Sequence, residues 1–324
     1  MYLHGGIGYV DLETILAEGG YQVKQLPETV DGKPAGLRKR FLAALKLVRA
    51  AVKTDEWILV YPVYGRLNQW LIRALVKKGV KVTMVIGDID GLKDMNSAQL
   101  QKDIRFLQLA HRLVVHNAAM KNWLLSQNVK KPMAELQLFD FLAQPCVRER
   151  SKSFEISFAG NLEKSTFLWQ TVQPDFGDIR FRLYGRGLPA QQNLAAHFEF
   201  KGSYPAIEMP SKIEGSFGLL WDGDDWQKPA GAIGLYMPFI SHHKLSLYIL
   251  AGLPILAPRS AGSAAFIEKE QLGFLFDDPP QLPILLQSIS EEQYQTVREQ
   301  QKKWANRICQ GEQIRQALKA FDNL

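Results

Sequence analysis

The chain has 324 residues, about twice the usual domain length of roughly 150 residues, so we expect two domains. Its composition is 46% apolar and 22% charged, which is ordinary for a globular protein and excludes extensive disorder. The net charge of +6 suits anionic ligands but does not demand nucleic acid as a partner. The two cysteines lie far apart in sequence, which excludes a cysteine-built zinc site and favours a reducing, cytoplasmic compartment.

Helices and strands alternate in the pattern of the first half of the chain. In chain order the pattern predicts a helix over 11–17, a strand over 21–26, a helix over 37–53, a strand over 57–62, a helix over 68–78, a strand over 80–86, a helix over 97–109, a strand over 113–116 and a helix over 118–127. Apolar strands that alternate with helices are typical of a parallel sheet covered on both faces.

A polar, charged segment at residues 144–153 precedes a fresh strand and marks the predicted boundary between domains 1–148 and 149–324. The second half predicts strands over 154–158, 181–184, 198–201, 217–221 and 253–257, and then helices over 291–308 and 312–321. We therefore expect an α/β protein of two doubly wound domains that face one another across a cleft. Ligands of such sheets bind at the carboxyl ends of the strands. The last helix is free to pack back on the N-terminal domain.

One helix start stands out in the second half. The segment 241–255 predicts a helix that begins near Lys244 and ends at Gly252, directly before a strand. Lys244 would then lie in the first turn, where free backbone N–H groups and the helix dipole favour an anion. A lysine is unfavourable there unless an anion neutralises it, and a diphosphate would do so. A solvated lysine beside the helix cap is the alternative.

Two further turns follow predicted strands and contain small or polar residues. Gly262 and Ser263 open a helix, and small side chains at such a turn let the backbone approach a phosphate or a ribose. Gly160, Asn161 and Lys164 offer a glycine turn, an amide and a cation at the end of the second domain's first strand. A purely structural βα turn is the alternative at both places.

Acidic residues follow the buried strands of the first domain. Asp88 and Asp90 come directly after the strand at 80–86, where a carboxylate at the cleft edge can accept a proton from an incoming hydroxyl. Asp140, just before the domain boundary, is a third candidate facing the cleft. Aspartate is also a favoured residue in Asx turns and helix N-caps, so a structural role is the alternative for each of them.

The remaining features point less clearly to chemistry. His116, His242 and His243 have no acidic or cysteine residue at metal-ligand spacing, so we expect no metal site, although the last two could aid a leaving diphosphate. Gly6 lies in a glycine-rich stretch that could form a substrate loop but does not complete a dinucleotide fingerprint. The basic face of the helix beginning at residue 37 is either solvated or touches anionic lipid.

Several stretches together resemble bacterial GT-B glycosyltransferases of the galactofuranosyltransferase type, whose relatives use UDP-glucose to extend the glycan of serine-rich-repeat adhesins. The resemblance runs in order from about residue 55 to 275 and includes GDIDGLK at 87–93 and HKLSLY at 243–248. The other matching stretches lie at 115–117, 120–124, 138–141, 158–162, 201–204, 214–223 and 251–254.

The resemblance implies a role for each candidate residue. Lys244 would contact the diphosphate of a nucleotide sugar, and Asp88, with Asp90 beside it, would supply the general base. Gly6 and Asp140 would lie on the acceptor side. The nucleotide-sugar site would be completed by Gly160, Asn161, Lys164, Tyr204, Asp222, His243, Gly262 and Ser263.

The resemblance also implies the reaction: transfer of a hexosyl unit (galactofuranose, glucose or galactose) from a UDP-sugar to a glycan, glycolipid or glycoprotein acceptor. It implies inversion, no metal and no cofactor, a homo-oligomer, and a cytoplasmic protein, with a peripheral place at the inner face of the membrane as a variant. Gly87 and Ala265 stand where relatives tend to carry histidine and glutamate, which favours a catalytically silent nucleotide- or glycan-binding subunit as the alternative. An α/β enzyme of another class, such as an epimerase, is a third interpretation.

Overall fold

The structure is a computed structural model and describes residues 7–26, 29–30, 33–34, 36–146, 148–170, 173–188 and 195–323. The chain divides into two compact units, neither of them continuous in sequence. The larger unit comprises Met1–Leu12, His116–Met120 and Leu136–Gln316. The smaller unit comprises Glu13–Val115, Lys121–Glu135 and Ala317–Leu324.

Both units are built mainly from α-helices and parallel strands. The helices are α1 (Ile7–Glu18), α2 (Leu37–Ala50), α3 (Arg66–Lys77), α4 (Asp90–Lys93), α5 (Ser97–Leu107), α6 (Ala118–Ser126), α7 (Met209–Lys212), α8 (Gly231–Tyr236), α9 (His243–Ala251), α10 (Ala264–Lys269), α11 (Leu282–Ser288), α12 (Glu291–Cys309) and α13 (Glu312–Ala320). The strands are β1 (Thr29–Val30), β2 (Lys33–Pro34), β3 (Glu56–Tyr61), β4 (Lys81–Ile86), β5 (Arg112–Val115), β6 (Met133–Glu135), β7 (Glu155–Ala159), β8 (Arg180–Tyr184), β9 (Phe198–Gly202), β10 (Phe217–Leu219), β11 (Ile255–Pro258) and β12 (Gly273–Phe276).

The smaller unit contains a four-stranded parallel sheet in the order β3-β4-β5-β6, besides the short antiparallel pair β1-β2. Strand β4 is buried from its second residue to its end, as expected for a parallel strand covered on both faces. Its carboxyl end leads directly into the loop that carries Asp88 and Asp90. The sheet therefore gives this acidic loop a rigid base.

The larger unit contains a six-stranded sheet in the order β12-β11-β10-β7-β8-β9, with every neighbouring pair parallel. The chain starts at β7 in the centre and adds β8 and β9 on one side of the sheet. It then returns to the centre and adds β10, β11 and β12 on the other side, as in a dinucleotide-binding Rossmann sheet. The chain reverses its winding direction between β7 and β10, and such a reversal opens a crevice at the carboxyl ends of the two strands. The larger unit is thus doubly wound, as expected, and its topology indicates where a ligand crevice would lie.

A buried tyrosine fixes α9 across this reversal point. The Tyr248 hydroxyl donates to the carbonyl of Leu219 at 3.1 Å in β10 and accepts from the N–H of Ala159 at 3.0 Å in β7. Gly218 makes room for the ring, because a Cβ at that position would lie 2.3 Å from it. Tyr248 thereby holds α9 against both strands that border the crevice.

The predicted order of helices and strands is confirmed apart from a few strands. Residues 21–26 form neither a helix nor a strand, so the predicted strand there is wrong. Its two large apolar residues, Tyr21 and Val23, are 42% and 46% exposed, so no sheet face buries them. Strands β1, β2, β6 and β12 were not predicted. No helix within the described ranges is both long and apolar enough to cross a bilayer.

Candidate active site

The residues predicted to bind the nucleotide sugar lie along the carboxyl edge of the larger unit's sheet. Gly160, Asn161 and Lys164 follow β7, Tyr204 follows β9, Asp222 follows β10, His243 and Lys244 open α9, and Gly262 and Ser263 follow β11. Strands β7 and β10 border the reversal of winding, so the turns after them flank the expected ligand crevice.

Lys244 lies at this reversal point, in the first turn of α9 as predicted. Its ammonium group donates to both carboxylate oxygens of Asp222, each at 3.0 Å, and to the carbonyl of Trp221 at 3.1 Å. It also lies 4.5 Å from the ring centre of Phe158, a cation–π contact with strand β7. An anion does neutralise Lys244, and in this structure that anion is a side chain of the protein.

Asp222 is the acidic centre of this cluster. Burial alone would raise its pKa, but the charge of Lys244 and the contact with His242 outweigh burial and hold the pKa at about 2. Nε2 of His242 lies 2.9 Å from Oδ2 of Asp222. The side chains of Asp222, Lys244 and His242 are only 17%, 11% and 7% exposed, so their charges interact with little solvent screening.

The turn after β7 is held by the backbone of the neighbouring strand. The N–H of Gly160 donates to the carbonyl of Tyr184 at 3.0 Å. Gly185 has φ +132°, and a Cβ at that position would lie 1.8 Å from the carbonyl oxygen of Gly160. The side-chain oxygen of Asn161 accepts from the N–H of Lys164 at 3.2 Å, which closes the turn locally, while the Lys164 side chain is exposed. This hydrogen bond supports the structural turn role, which is the alternative to ligand binding by the asparagine.

The turn after β11 is packed tightly against its neighbours. A Cβ at Gly262 would lie 2.4 Å from the carbonyl oxygen of Pro238 and 2.6 Å from the side-chain nitrogen of Asn117. Ser263 and Asn117 are 1% and 2% exposed. The Ser263 hydroxyl and the Asn117 amide nitrogen have no hydrogen-bond partner among the described residues. Ser263 of this turn and Asn117, which follows β5, are therefore two polar groups that a bound molecule or water would have to satisfy.

Tyr204 lies beside the edge strand β9. It is 39% exposed, and its hydroxyl donates to the carbonyl of Lys201 at 3.0 Å. Strand β9 is two strand positions from β7, which corresponds to roughly 10 Å. Tyr204 thus lies away from the reversal point, at a position suited to a part of an extended ligand other than the group at Lys244.

His243 is a stacked ring beside this cluster. It lies nearly parallel to Phe139, with ring centres 4.1 Å apart and planes inclined by 22°, and Phe139 meets His116 edge-on at 4.9 Å. A Cβ at Gly8 would lie 2.2 Å from the ring, so α1 approaches it closely. Desolvation by the surrounding protein and the charge of His242 lower the pKa of His243 to about 4. The imidazole is therefore neutral at physiological pH.

The smaller unit contains the candidate base. Lys93 pairs with Asp88 and with Asp90, each at 3.0 Å. Burial would lower the pKa of Lys93, but the two carboxylates raise it above its usual value. Asp90 also accepts from the hydroxyl of Tyr64 at 2.8 Å, whereas the Asp88 side chain is 36% exposed. Of the two acids, Asp88 keeps more access to solvent and so to a substrate.

Sequence reasoning missed the residue that holds this acidic loop. Asp103 on α5 is 2% exposed and accepts three hydrogen bonds at 2.7 Å, from the Tyr61 hydroxyl, the Gly91 N–H and the Gln99 amide. Gly91 packs so tightly on α5 that a Cβ there would lie 2.1 Å from the backbone of Leu100. The signal in the sequence is an aspartate within an otherwise amphipathic helix, which alone does not reveal its partners.

Asp140 has a structural environment. It is 7% exposed and accepts from the N–H groups of Gln313 at 3.0 Å and Ile314 at 2.8 Å, in the first turn of α13. Burial raises its pKa to about 7, against the lowering effect of those two hydrogen bonds. These contacts favour the helix-capping alternative over an acceptor-side role.

Gly6, the other residue predicted on the acceptor side, lies outside the described residues. No three side chains of metal-ligating type cluster within the described ranges.

Two family models match the chain in sequence. The model for the N-terminal domain of glucosyltransferase 3-like proteins matches residues 5–138, and the model for their C-terminal domain matches residues 156–321. The β-1,6-galactofuranosyltransferase WbbI of Escherichia coli K12 is 26% identical over 296 residues, which covers 87% of this chain and 84% of WbbI. Glucosyltransferase 3 of Streptococcus parasanguinis is 22% identical over 276 residues, covering 83% of this chain and 75% of that protein.

Solved structures share the fold at low sequence identity. HepE from Anabaena in complex with UDP has a TM-score of 0.59 at 12% identity and covers 87% of this chain and 82% of its own. Sucrose-phosphate synthase from Thermosynechococcus elongatus has a TM-score of 0.58 at 14% identity, and the match covers 97% of this chain and 93% of the synthase chain. The fold is thus GT-B, as expected. Because the two family models together match most of the sequence, the chain belongs to the glucosyltransferase 3-like family.

Proposed function

We propose that this protein is a glycosyltransferase that moves a hexosyl unit from a UDP-sugar to a glycan, glycolipid or glycoprotein acceptor. The observation that carries the proposal is the position of Lys244, a buried cation in the first turn of α9 at the reversal of a Rossmann sheet. A helix N-terminus with a cation at this point of the sheet is suited to a diphosphate. The names of the relatives, a galactofuranosyltransferase and a glucosyltransferase, support galactofuranose or glucose as the sugar, and galactose stays a further candidate.

The donor side would work by stabilising the departing UDP. As the bond between the anomeric carbon and the diphosphate breaks, negative charge accumulates on the leaving oxygen. Lys244 and the free N–H groups of the first turn of α9 supply positive charge that is already in place, so little reorganisation is needed during the reaction. We therefore propose that transfer does not require a metal ion. Gly160, Gly262 and Ser263 would let the backbone and one hydroxyl approach the nucleotide.

The acceptor side would need one base. In a single displacement with inversion, the acceptor hydroxyl attacks the anomeric carbon while a carboxylate within hydrogen-bond reach takes its proton. We propose Asp88 for this role, because its carboxylate is the more accessible of the two that follow β4. Lys93 and Asp90 would then fix the position of Asp88 rather than react.

The direct test offers the purified protein UDP-glucose, UDP-galactose and UDP-galactofuranose, each with a glycan acceptor and in the presence of EDTA. We expect UDP release from one of the three, with the anomeric configuration of the new bond inverted in its NMR spectrum. UDP binding without transfer for any donor and acceptor would instead favour the catalytically silent alternative that Gly87 and Ala265 motivate. Activity that is lost in EDTA and restored by Mg²⁺ would contradict the metal-independent proposal.

A surface of the smaller unit supports a peripheral place at an anionic membrane. Residues 37–53 carry basic side chains and no acidic ones. Beside these cations, Leu37, Phe41 and Leu42 on α2 are 72%, 43% and 49% exposed. Trp70 on α3 is 37% exposed and packs on Phe41 with ring centres 5.2 Å apart. Exposed apolar and aromatic side chains flanked by cations are suited to the interface of a bilayer.

Vesicle sedimentation tests this surface. Each cation near an anionic bilayer contributes about 1 kcal/mol to binding, so replacing three of them should weaken binding by more than about tenfold. We expect that loss for the triple variant Lys39→Gln, Lys46→Gln, Arg49→Gln on vesicles containing anionic lipid, and no binding of either protein to neutral vesicles. The matched control changes Lys302, Lys303 and Lys319 to glutamine on exposed parts of α12 and α13. Equal losses in both triple variants would contradict a specific surface.

Two further proposals concern organisation. We propose that the junction between the domains lies at residues 148/149, which falls between the two family-model matches. We also propose that the protein is a cytoplasmic homo-oligomer. Sedimentation velocity over a tenfold range of protein concentration tests the oligomeric state, and a monomer at every concentration would contradict the homo-oligomer.

A further inference from the structure

The ammonium donors of Lys244 are already used within the protein. An ammonium group has three N–H donors, and Lys244 has three acceptors within 3.1 Å, namely both oxygens of Asp222 and the carbonyl of Trp221. A diphosphate can therefore reach Lys244 only if one of these acceptors gives way. The Trp221 carbonyl belongs to the backbone that leaves β10 and cannot move without the strand, so the carboxylate of Asp222 is the partner that can be exchanged.

Asp222 itself is unsuited to touch the ligand. Its carboxylate is ionised, and two like charges brought together at low exposure repel strongly. The role of Asp222 must then be its effect on Lys244 in the protein without ligand. A lysine ammonium that is only 11% exposed and lacks a counter-ion is costly, and burial then favours the neutral amine.

We propose that Asp222 is a positioning residue, the internal counter-ion that keeps Lys244 charged and in place until the diphosphate of the donor replaces it. This inference rests on the proposed function, because it takes the diphosphate as the ligand of Lys244. His242 has a part in the exchange: its Nε2 lies 2.9 Å from Asp222 and gives the carboxylate a partner when Lys244 turns to the phosphate.

The titratable side chains around Lys244 determine the pH values at which the role of Asp222 can be tested. Lys244 pairs with Asp222, and Asp222 in turn contacts His242. On α9 itself, His243 precedes Lys244 and Tyr248 follows it by one helical turn. Burial raises the pKa of Tyr248, so its phenol stays neutral between about pH 7.0 and 8.5. Comparison with the wild type cancels the titration of UDP, which both proteins share. Asp222→Asn removes the carboxylate contact of His242 as well as that of Lys244, so a second variant that keeps the carboxylate is needed.

The experiment measures the dissociation constant of UDP by calorimetry at about pH 7.0 and 8.5. We expect Asp222→Asn to weaken UDP binding by less than about threefold at the lower pH and by about tenfold or more at the higher pH. The reason is that Lys244, without its counter-ion, must take up a proton to bind the anion. The matched control is Asp277→Asn, which removes an exposed acid after β12 and should leave binding unchanged at both pH values.

A second variant keeps the test decisive if the first does not fold. Asp222→Glu retains the charge, so we expect the wild-type response to pH. A pH-dependent loss in Asp222→Glu would overturn the inference, as would tighter binding or an equal loss at both pH values in Asp222→Asn. If the wild type binds UDP, these results overturn the role of Asp222 alone. If the wild type binds no UDP, the proposed function fails first.

Discussion

Gly185 offers a stringent test of how the crevice is built. Replacement by alanine would put a Cβ 1.8 Å from the carbonyl oxygen of Gly160, at a φ of +132° that side chains rarely adopt. Neither neighbour can yield cheaply, because Gly160 is hydrogen-bonded to the end of β8 and Gly185 donates to the carbonyl of Gly202 at 3.0 Å. Overpacking of this kind costs about 1–3 kcal/mol, and a side chain in this sparsely populated backbone region costs about 1–3 kcal/mol more.

Gly177 is the matched control, since it lies in the turn before β8 with φ +54° and has open space where a Cβ would stand, with nothing within 4 Å. Its replacement by alanine carries the backbone cost alone, about 1–2 kcal/mol. At about 2 °C per kcal/mol for a chain of this size, we expect Gly185→Ala to melt several degrees below Gly177→Ala in a thermal scan. We also expect only the former to bind UDP more weakly. Equal melting temperatures would refute the close approach of the two turns.

Three further predictions follow from the contacts of single side chains. Asp103→Asn leaves the N–H of Gly91 facing an amide donor, so we expect a loss of about 1–3 kcal/mol in the free energy of unfolding, measured by urea denaturation. Asp88→Asn should abolish sugar transfer while UDP affinity by calorimetry stays unchanged; loss of both would mean that Asp88 is structural. Because the pKa of His243 is lowered to about 4, its stabilising effect is complete above about pH 6.5 and is lost as the pH falls towards 4. His243→Phe should therefore lose less stability than the wild type between about pH 7 and 5 in urea titrations, and equal losses would contradict that pKa.

Local patterns predicted the elements of the site well. Apolar runs and helical periodicity located β7, β10 and α9, and the glycine at 252 marks the end of α9 with φ +67°. Lys244 could be placed in a first turn because the start of a helix is a local property of the chain. The strand predicted at 21–26 failed for the opposite reason: a strand needs a partner and a face to bury, and neither is a local property.

The partners of the site residues could not be predicted in the same way. Asp222 lies 22 residues before Lys244, and only the folded sheet brings β10 beside the start of α9. Tyr248 holds α9 through hydrogen bonds to two strands and a glycine at 218 that makes room for its ring, which no single stretch of sequence reveals. The reversal of winding between the central strands β7 and β10 thus determines which polar residues meet, and hydrophobic periodicity does not encode that reversal.

The proposed contact between Lys244 and the diphosphate of a UDP-sugar can be tested by thermal-shift measurements with nucleotides. Ligand that binds the folded state raises stability by RT ln(1 + [L]/Kd), so millimolar UDP over a micromolar site should raise the melting temperature by several degrees. We expect that shift with UDP, with or without Mg²⁺, little shift with CMP, GDP or NAD, and no shift with UDP in Lys244→Ala. A Lys244→Ala protein that UDP stabilises as much as the wild type would contradict the claim.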